Sequence, residues 1–309
     1  MPSSKPIVVV GSINMDLVAT APHIPAAGET ILGTDFQTNP GGKGANQAVA
    51  AARVGASVQM IGQLGSDDIG KQLREGLNKA GVDTTSVGTV PGTSGVALIT
   101  VAANGDNSIV VTPGANTQVT PAFLDQHAEK IRKAGIVLAQ LEIPLETVVH
   151  LAELCAKAEV PLMLDPAPAQ ELPAALFSKI AWFTPNETEA AFYLGKKMKD
   201  DGAEAAANSL IAKGLKGVIL KLGDKGSYFA VAKGNEVTIK PFHVHAVDST
   251  AAGDAFNGAF AAALMLGQSR LEAAMFASAA SAISVTRAGA QKSMATFEEV
   301  QQMLDGNWK

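Results

Sequence analysis

The sequence predicts an α/β protein with a mostly parallel central sheet, helices on both faces, and a small β-sheet lid. Three observations carry this. Short β-branched runs alternate with helix-patterned segments through most of the chain. Two stretches, near 17–38 and 94–113, break the alternation and read as strand pairs. From Asp254 onward the chain turns helical. The 309 residues are read as a single domain, 1–309, whose lid comes from two insertions at about 14–38 and 94–113.

The elements follow in order. "PIVVVGS" is a buried strand leading to a turn. "GGKGANQAVAAARVG" is a helix, Gly at its start and Gly55 after its end. "VQMIGQLG" is a strand and "DIGKQLREGLNKAG" a helix with an Asp cap. "VALITVA" and "SIVVTP" form a hairpin across "ANGDNS". Then come "GIVLAQL" (strand), "LETVVHLAELCAKA" (helix), "VPLMLDPAPA" (strand and loop) and "IAWFTPN" (strand). "ETEAAFYLG" and "AEAAANSLIAKG" are helices, and "GVILKLGDKGS" is a strand and loop. "AFNGAFAAALML", "RLEAAMFASAASAISVTRAG" and "TFEEVQQML" complete the chain as helices.

Composition narrows the function. Hydrophobic residues make up 47%, enough for a large core, and the net charge is only −5. The 24 basic residues are scattered, which argues against nucleic acid as a partner. No apolar stretch approaches a membrane span, and "MPSSKPIVVVGS" lacks the apolar region of a signal peptide. A cytoplasmic protein is expected. The one cysteine, Cys155, has no His at motif spacing and reads as structural. "FHVHAV" alternates like a strand with His243 and His245 on one face, favouring surface over a metal site.

Ligands of open α/β sheets bind beyond the carboxyl ends of the strands. Five loops there carry polar groups. "GSINMD" offers Asn14 and Asp16, suited to sugar hydroxyls or to plain turn chemistry. "NPGGKGANQA" offers a glycine loop with Gly42, Lys43 and Asn46 before a helix start. It is neither a Walker A loop nor a dinucleotide fingerprint, since Gln37 and Gln47 stand where glycines belong. "LEIPLE" places Glu142 after a strand. "TPNETEA" offers Asn186, Glu187 and Glu189, which could hold Mg²⁺ through water or simply cap a helix. "LGDKGS" has glycines spaced for a turn that exposes N–H groups to phosphate. In "DSTAAGDAF", Ala251, Ala252, Gly253 and Asp254 present successive N–H groups, an anion hole with a carboxylate at its edge. The competing reading makes Asp254 a helix cap.

Together these motifs resemble the PfkB-type sugar kinases, the ribokinase family. "GGKGANQAVAAARVGASVQMIGQLG" and "DSTAAGDAFNGAFA" match its two signatures, and the lesser motifs fall in the family's order over nearly the whole chain. The likeness is greatest to its ribose-phosphorylating bacterial members. It implies ATP-dependent phosphorylation of the 5-hydroxyl of D-ribose, with Asp254 as base and Ala251 to Asp254 as anion hole. Asn14, Asp16, Gly42, Lys43, Asn46 and Glu142 would bind the sugar. Asn186, Lys221, Gly223, Asp224, Lys225, Gly226, Ser227, Gly253 and Ser278 would bind the nucleotide, and Glu189 a Mg²⁺ through water. A K⁺ would sit behind the anion hole, held by Asp248, Thr250, Ser284, Arg287, Gly289 and Ser293. The lid implies a homodimer.

Asn14 favours a substrate with a 2-hydroxyl, because relatives that take deoxyribose lack it; deoxyribose, a ketohexose, or a silent binding role are the rival readings. Four residues depart from the family pattern. Asp165 stands for Asn, Ser278 for His, Lys292 for Pro and Met15 for Ala.

Overall fold

The computed structural model describes residues 5–196, 202–234 and 236–308. Its strands are β1 (Ile7–Val10), β2 (Asn14–Ala21), β3 (Asp35–Gly41), β4 (Val58–Gly65), β5 (Val82–Val90), β6 (Gly95–Ala102) and β7 (Asn107–Thr112). There follow β8 (Ile136–Ala139), β9 (Leu162–Leu164), β10 (Trp182–Phe183), β11 (Gly217–Lys221), β12 (Ser227–Val231) and β13 (Glu236–Ile239). One sheet has the order β13-β12-β11-β10-β9-β8-β1-β4-β5, the other β3-β2-β6-β7. From β5 across to β11 every pairing is parallel, and β12 and β13 add an antiparallel edge.

β1 is an interior strand of the large sheet, with Ile7 opposite Val58 on one side and Ile136 on the other. Its four residues are wholly buried, as a parallel strand covered on both faces requires. Ile7 and Val9 face a core shared with the helices Lys43–Arg53, Ala252–Met265 and Arg270–Ser284. Val8 and Val10 face a second core that includes the helix Leu145–Lys157. The chain leaves β1 toward β4 with its helix on one face, and leaves β8 with its helix on the other. The crevice beyond β1 and β8 is therefore the topological switch point where such sheets bind ligands.

The small sheet is rooted over that crevice. Asn14 pairs with Gly41 in antiparallel β3 and with Gly95 in parallel β6. Its strands are β2, β3, β6 and β7, and β3 runs on to Gly41, straight into the Lys43 helix.

Some local readings change. "FHVHAV" is irregular, since Pro241 has no N–H to extend β13, and His243 and His245 are both exposed. Asn14 opens a strand rather than lying in a loop. The cap of the Asp68–Lys79 helix is Asp67, which accepts from the Gly70 N–H at 2.8 Å. Cys155 is buried, and that burial pushes its thiol up to about 12, in keeping with a structural role.

The Lys43 and Ala252 helices touch through small residues. A Cβ on Gly258 would run into the carbonyl of Gln47 and lie 2.6 Å from Ala50 Cβ. Gly258 stands one turn after Asp254, so this contact sets how near Asp254 comes to the Lys43 helix. Gly258→Val should lower stability by about 1–3 kcal/mol in urea denaturation and weaken any activity that depends on Asp254. Wild-type values for both would refute the contact.

Candidate active site

The Ala252 helix starts abruptly. Ala251 takes a left-handed conformation, φ 60°, at a cost of about 1 kcal/mol for a residue with a Cβ. The turn aims the helix start at a cavity of about 570 Å³. The N–H of Ala252 donates back to the Ser249 carbonyl at 3.2 Å. Those of Gly253 and Asp254 have no protein acceptor among the described residues. Ser281, on the neighbouring helix, braces the turn by donating to the Ala252 carbonyl at 2.9 Å.

Asp254 is 4% exposed. Its Oδ2 accepts from Asn46 at 3.0 Å and its Oδ1 from Gln47 at 3.0 Å. Gln47 also donates to Asp165 Oδ2 at 2.9 Å and accepts from Gln140 at 2.7 Å. Asp165 in turn is paired with Lys221, Nζ to Oδ1 at 3.0 Å. Burial pushes the Asp254 carboxyl above the usual range; Lys43 and the two amides act against this and Asp165 adds to it. Burial also disfavours the Lys43 ammonium, but Asp254, Asp165, Glu142 and Glu189 outweigh it and hold the group charged.

The cavity is lined by Lys43, Asp165, Asn186, Glu189, Lys221, Gly223, Asp224, Gly226 and Ser227, by Ala251 to Asp254, and by Ser278. The buried hydroxyls of Ser227 and Ser278 have no hydrogen-bond partner among the described residues. Lys225 stays outside and pairs with Glu187 at 3.3 Å. Apolar walls come from Pro241, Phe242 and Val244, a segment that sequence reasoning assigned elsewhere.

Asn14, Asp16, Gly42, Asn46 and Glu142 do not line this cavity and gather near Asp254 at the root of the small sheet. Glu142 Oε2 accepts from Ser12 Oγ at 2.5 Å and from the Lys43 N–H at 3.1 Å, so it closes the start of the Lys43 helix. Burial, then the charges of Glu142 and Asp254, push the Asp16 carboxyl up to about 6. Asn46 Oδ1 is buried and unpartnered.

Two of the loops prove to be partly structural. Asn186 and Glu189 form a capping box: Asn186 Oδ1 accepts from the Glu189 N–H, and Glu189 accepts from the Asn186 N–H, both at 2.8 Å. Burial pushes the Glu189 carboxyl up. Behind the helix start, Asp248 accepts from the N–H groups of Thr250 (2.9 Å) and Gly289 (2.8 Å). These bonds outweigh desolvation and hold its carboxyl low. Ser284 and Ser293 donate to the Ser281 and Ala290 carbonyls, and Arg287 pairs with Glu299. Among the described residues no three His, Cys, Asp or Glu side chains gather as a direct metal site.

A buried carboxylate at the edge of free N–H groups, in a cavity of about 570 Å³ also lined by Lys43 and Lys221, suits a small-molecule phosphotransferase. The chain belongs to the pfkB family of carbohydrate kinases, whose family model matches residues 4–296. It is 44% identical over 303 residues to a ribokinase of Haemophilus influenzae, covering 97% of this chain and 99% of that one. It is 40% identical over 305 residues to a deoxyribokinase of Salmonella typhi, covering 97% and 99%. Its fold matches that of Arabidopsis thaliana ribokinase complexed with ribose and ATP, with a TM-score of 0.92, 36% identity and coverage of 97% and 98%.

Because the Asp16 carboxyl is raised in the folded state, the native protein binds the extra proton between 3.8 and about 6. Stability of the free protein should therefore fall as pH rises through that window. Asp16→Asn should be more stable than wild type at pH 7 and lose Asp16's share of this fall, leaving a shallower dependence. A melting-temperature series from pH 4 to 7 that runs parallel for the two proteins would refute it.

Proposed function

We propose that this protein phosphorylates the 5-hydroxyl of D-ribose with ATP. The observation that carries the reading is the buried Asp254 carboxylate beside the unpartnered N–H groups of Gly253 and Asp254. Asp254 takes the hydroxyl proton, and the helix start from Ala251 to Asp254 stabilises charge on the transferring group. A raised pKa makes Asp254 a better base than an ordinary carboxylate. The loose transition state of phosphoryl transfer lets the proton leave late, so a carboxylate suffices.

The sugar lies with Asn14, Asp16, Gly42, Lys43, Asn46 and Glu142. The nucleotide lies with Asn186, Lys221, the turn from Gly223 to Ser227, and Ser278. The unpartnered oxygen of Asn46 suits a hydroxyl donor, and those of Ser227 and Ser278 suit a polar ligand. Bound Mg²⁺ would neutralise phosphate charge. Glu189 fits a water-mediated contact to it, because its oxygens already serve the capping box. A K⁺ site fits the oxygen-rich loops of Asp248, Thr250, Ser284, Arg287, Gly289 and Ser293, stitched together by Asp248 and Gly289. The small sheet acts as a lid that excludes water. We place the enzyme in the cytoplasm; no helix of the described residues is long and apolar enough to cross a membrane.

The face of the lid turned away from Asp16 exposes Phe36, Leu98 and Val110. An apolar patch of this kind calls for cover, and a second copy supplies it as a homodimer. Leu98→Lys with Val110→Lys should convert a dimer to a monomer in sedimentation velocity. A monomeric wild type, or a variant of unchanged mass, would overturn the dimer.

2-Deoxyribose is the second reading, given the deoxyribokinase relative; Asn14 favours ribose because it leaves a polar group unpaired when the 2-hydroxyl is absent. A coupled ADP-release assay over a sugar panel decides between them, and ribose should give the highest kcat/KM. Asp254→Asn should lose about 10³-fold in kcat while ribose binds within a few fold of wild type. Full turnover in that variant would overturn the base.

A further inference from the structure

Asn116 is 1% exposed and lies at the root of the small sheet, in the short helix Gly114–Gln118 that follows β7. None of the proposed chemistry uses it. Its Oδ1 accepts from the backbone N–H of Ile13 at 2.9 Å. A backbone N–H can only donate, so this contact settles which end of the Asn116 amide is oxygen. Its Nδ2 points the other way, 2.7 Å from Asn14 Oδ1 and 3.4 Å from the Ile13 carbonyl. An amide NH₂ only donates, so Asn14 must turn its oxygen toward Asn116. The NH₂ of Asn14 is thereby left free, with no protein acceptor among the described residues. Gly95 leaves room for the pair, since a Cβ there would collide with both Asn14 Oδ1 and Asn116 Nδ2.

We infer that Asn116 is a positioning residue that fixes Asn14 as a hydrogen-bond donor to the substrate, and so sets the preference for a vicinal diol over its deoxy analogue. This rests on the sugar-kinase reading above. The Asp16 carboxylate, two residues on, can only accept. With Asn14 locked as a donor, the pair matches two neighbouring hydroxyls, one offering a lone pair and the other a proton. Were Asn14 free to flip, both groups could accept, and the site would read the diol less strictly. A sugar without the hydroxyl leaves the locked NH₂ unpaired in a dry site.

Asn116→Asp keeps the shape and the acceptor for Ile13, but at pH 8 its second oxygen demands a donor and turns Asn14 round. Asn116→Ala removes the lock outright. In both, KM for ribose should rise about tenfold or more, with kcat and the KM for ATP changed less than about threefold. The ratio of kcat/KM for ribose to that for 2-deoxyribose should fall about fivefold or more. In an Asn14→Ala background, adding Asn116→Asp should leave that ratio unchanged, because the residue acts through Asn14. Melting curves check folding, and a purely structural role would lower the melting temperature with the ratio intact. An intact ratio in Asn116→Asp, with wild type active on ribose, overturns this inference alone. A wild type inactive on every vicinal-diol sugar overturns the substrate reading, and this inference with it.

Discussion

The site depends on one amide. Gln47 gives both hydrogens of its NH₂ group to carboxylates, one to Asp254 and one to Asp165, and its oxygen accepts from Gln140. Every bonding capacity of that side chain but one lone pair is engaged. Two buried carboxylates would repel each other and be costly to desolvate. The shared amide gives each a donor, and Lys221 and Lys43 supply compensating charge. The arrangement holds only because Gly258 lets the Ala252 helix lie directly against the backbone of Gln47. A small residue in one helix thus places a carboxylate one turn away in the same helix.

The large sheet determines what that carboxylate can reach. β1 and β8 end side by side, and the loops after them carry Ser12, Gln140 and Glu142 to one place. The small sheet starts at the same point, with Asn14, Gly41 and Gly95 in register. Any movement of the small sheet about its root therefore moves Asn14 and Asp16. Those two side chains read the sugar in the proposed function, so closing the lid and gripping the sugar are mechanically one event. The turn after β11 and the segment from Pro241 line the cavity that Asp254 also borders. In the proposed function that cavity takes the nucleotide, and the sugar lies with Asn14 and Asp16.

Much of this was legible in the sequence, for physical reasons. The central strands are short, almost wholly apolar runs because both their faces are buried, β1 being β-branched throughout, and the helices after them carry clear ends. Asn14, Lys43, Asn46, Asp254 and Lys221 stand at strand ends or helix starts, where turn and cap chemistry shows in the sequence. Gln47, Gln140 and Asn116 were not legible as site residues. Each is an ordinary amide inside or beside a regular element, and its importance comes only from partners 93 to 207 residues away. β5 was missed because "VDTTSVGTV" is polar, at the edge of the sheet. The His243 region was misplaced because alternation of side chains cannot reveal that Pro241 has ended the pairing. Asp165, met as a departure from the family pattern, is matched in space by Lys221, so the added charge is compensated where it arises.

The charge balance has a consequence for the nucleotide. Asp16, Glu142, Asp254, Asp165 and Glu189 act on one another or on Lys43 within this small region, against the two ammonium groups of Lys43 and Lys221. A triphosphate entering alone would meet an excess of negative charge. Lys221 is already engaged with Asp165, and Lys43 answers four carboxylates. The free N–H groups at Gly253 and Asp254 offer only partial positive charge. In the proposed function, this excess of carboxylates favours a nucleotide that brings a cation with it. In that proposal Glu189, whose oxygens already serve the capping box, would hold the cation through water. In that proposal, the burial and neighbouring carboxylates that raise Asp254 and make it a better base also make a metal-bound nucleotide a better substrate than a free one.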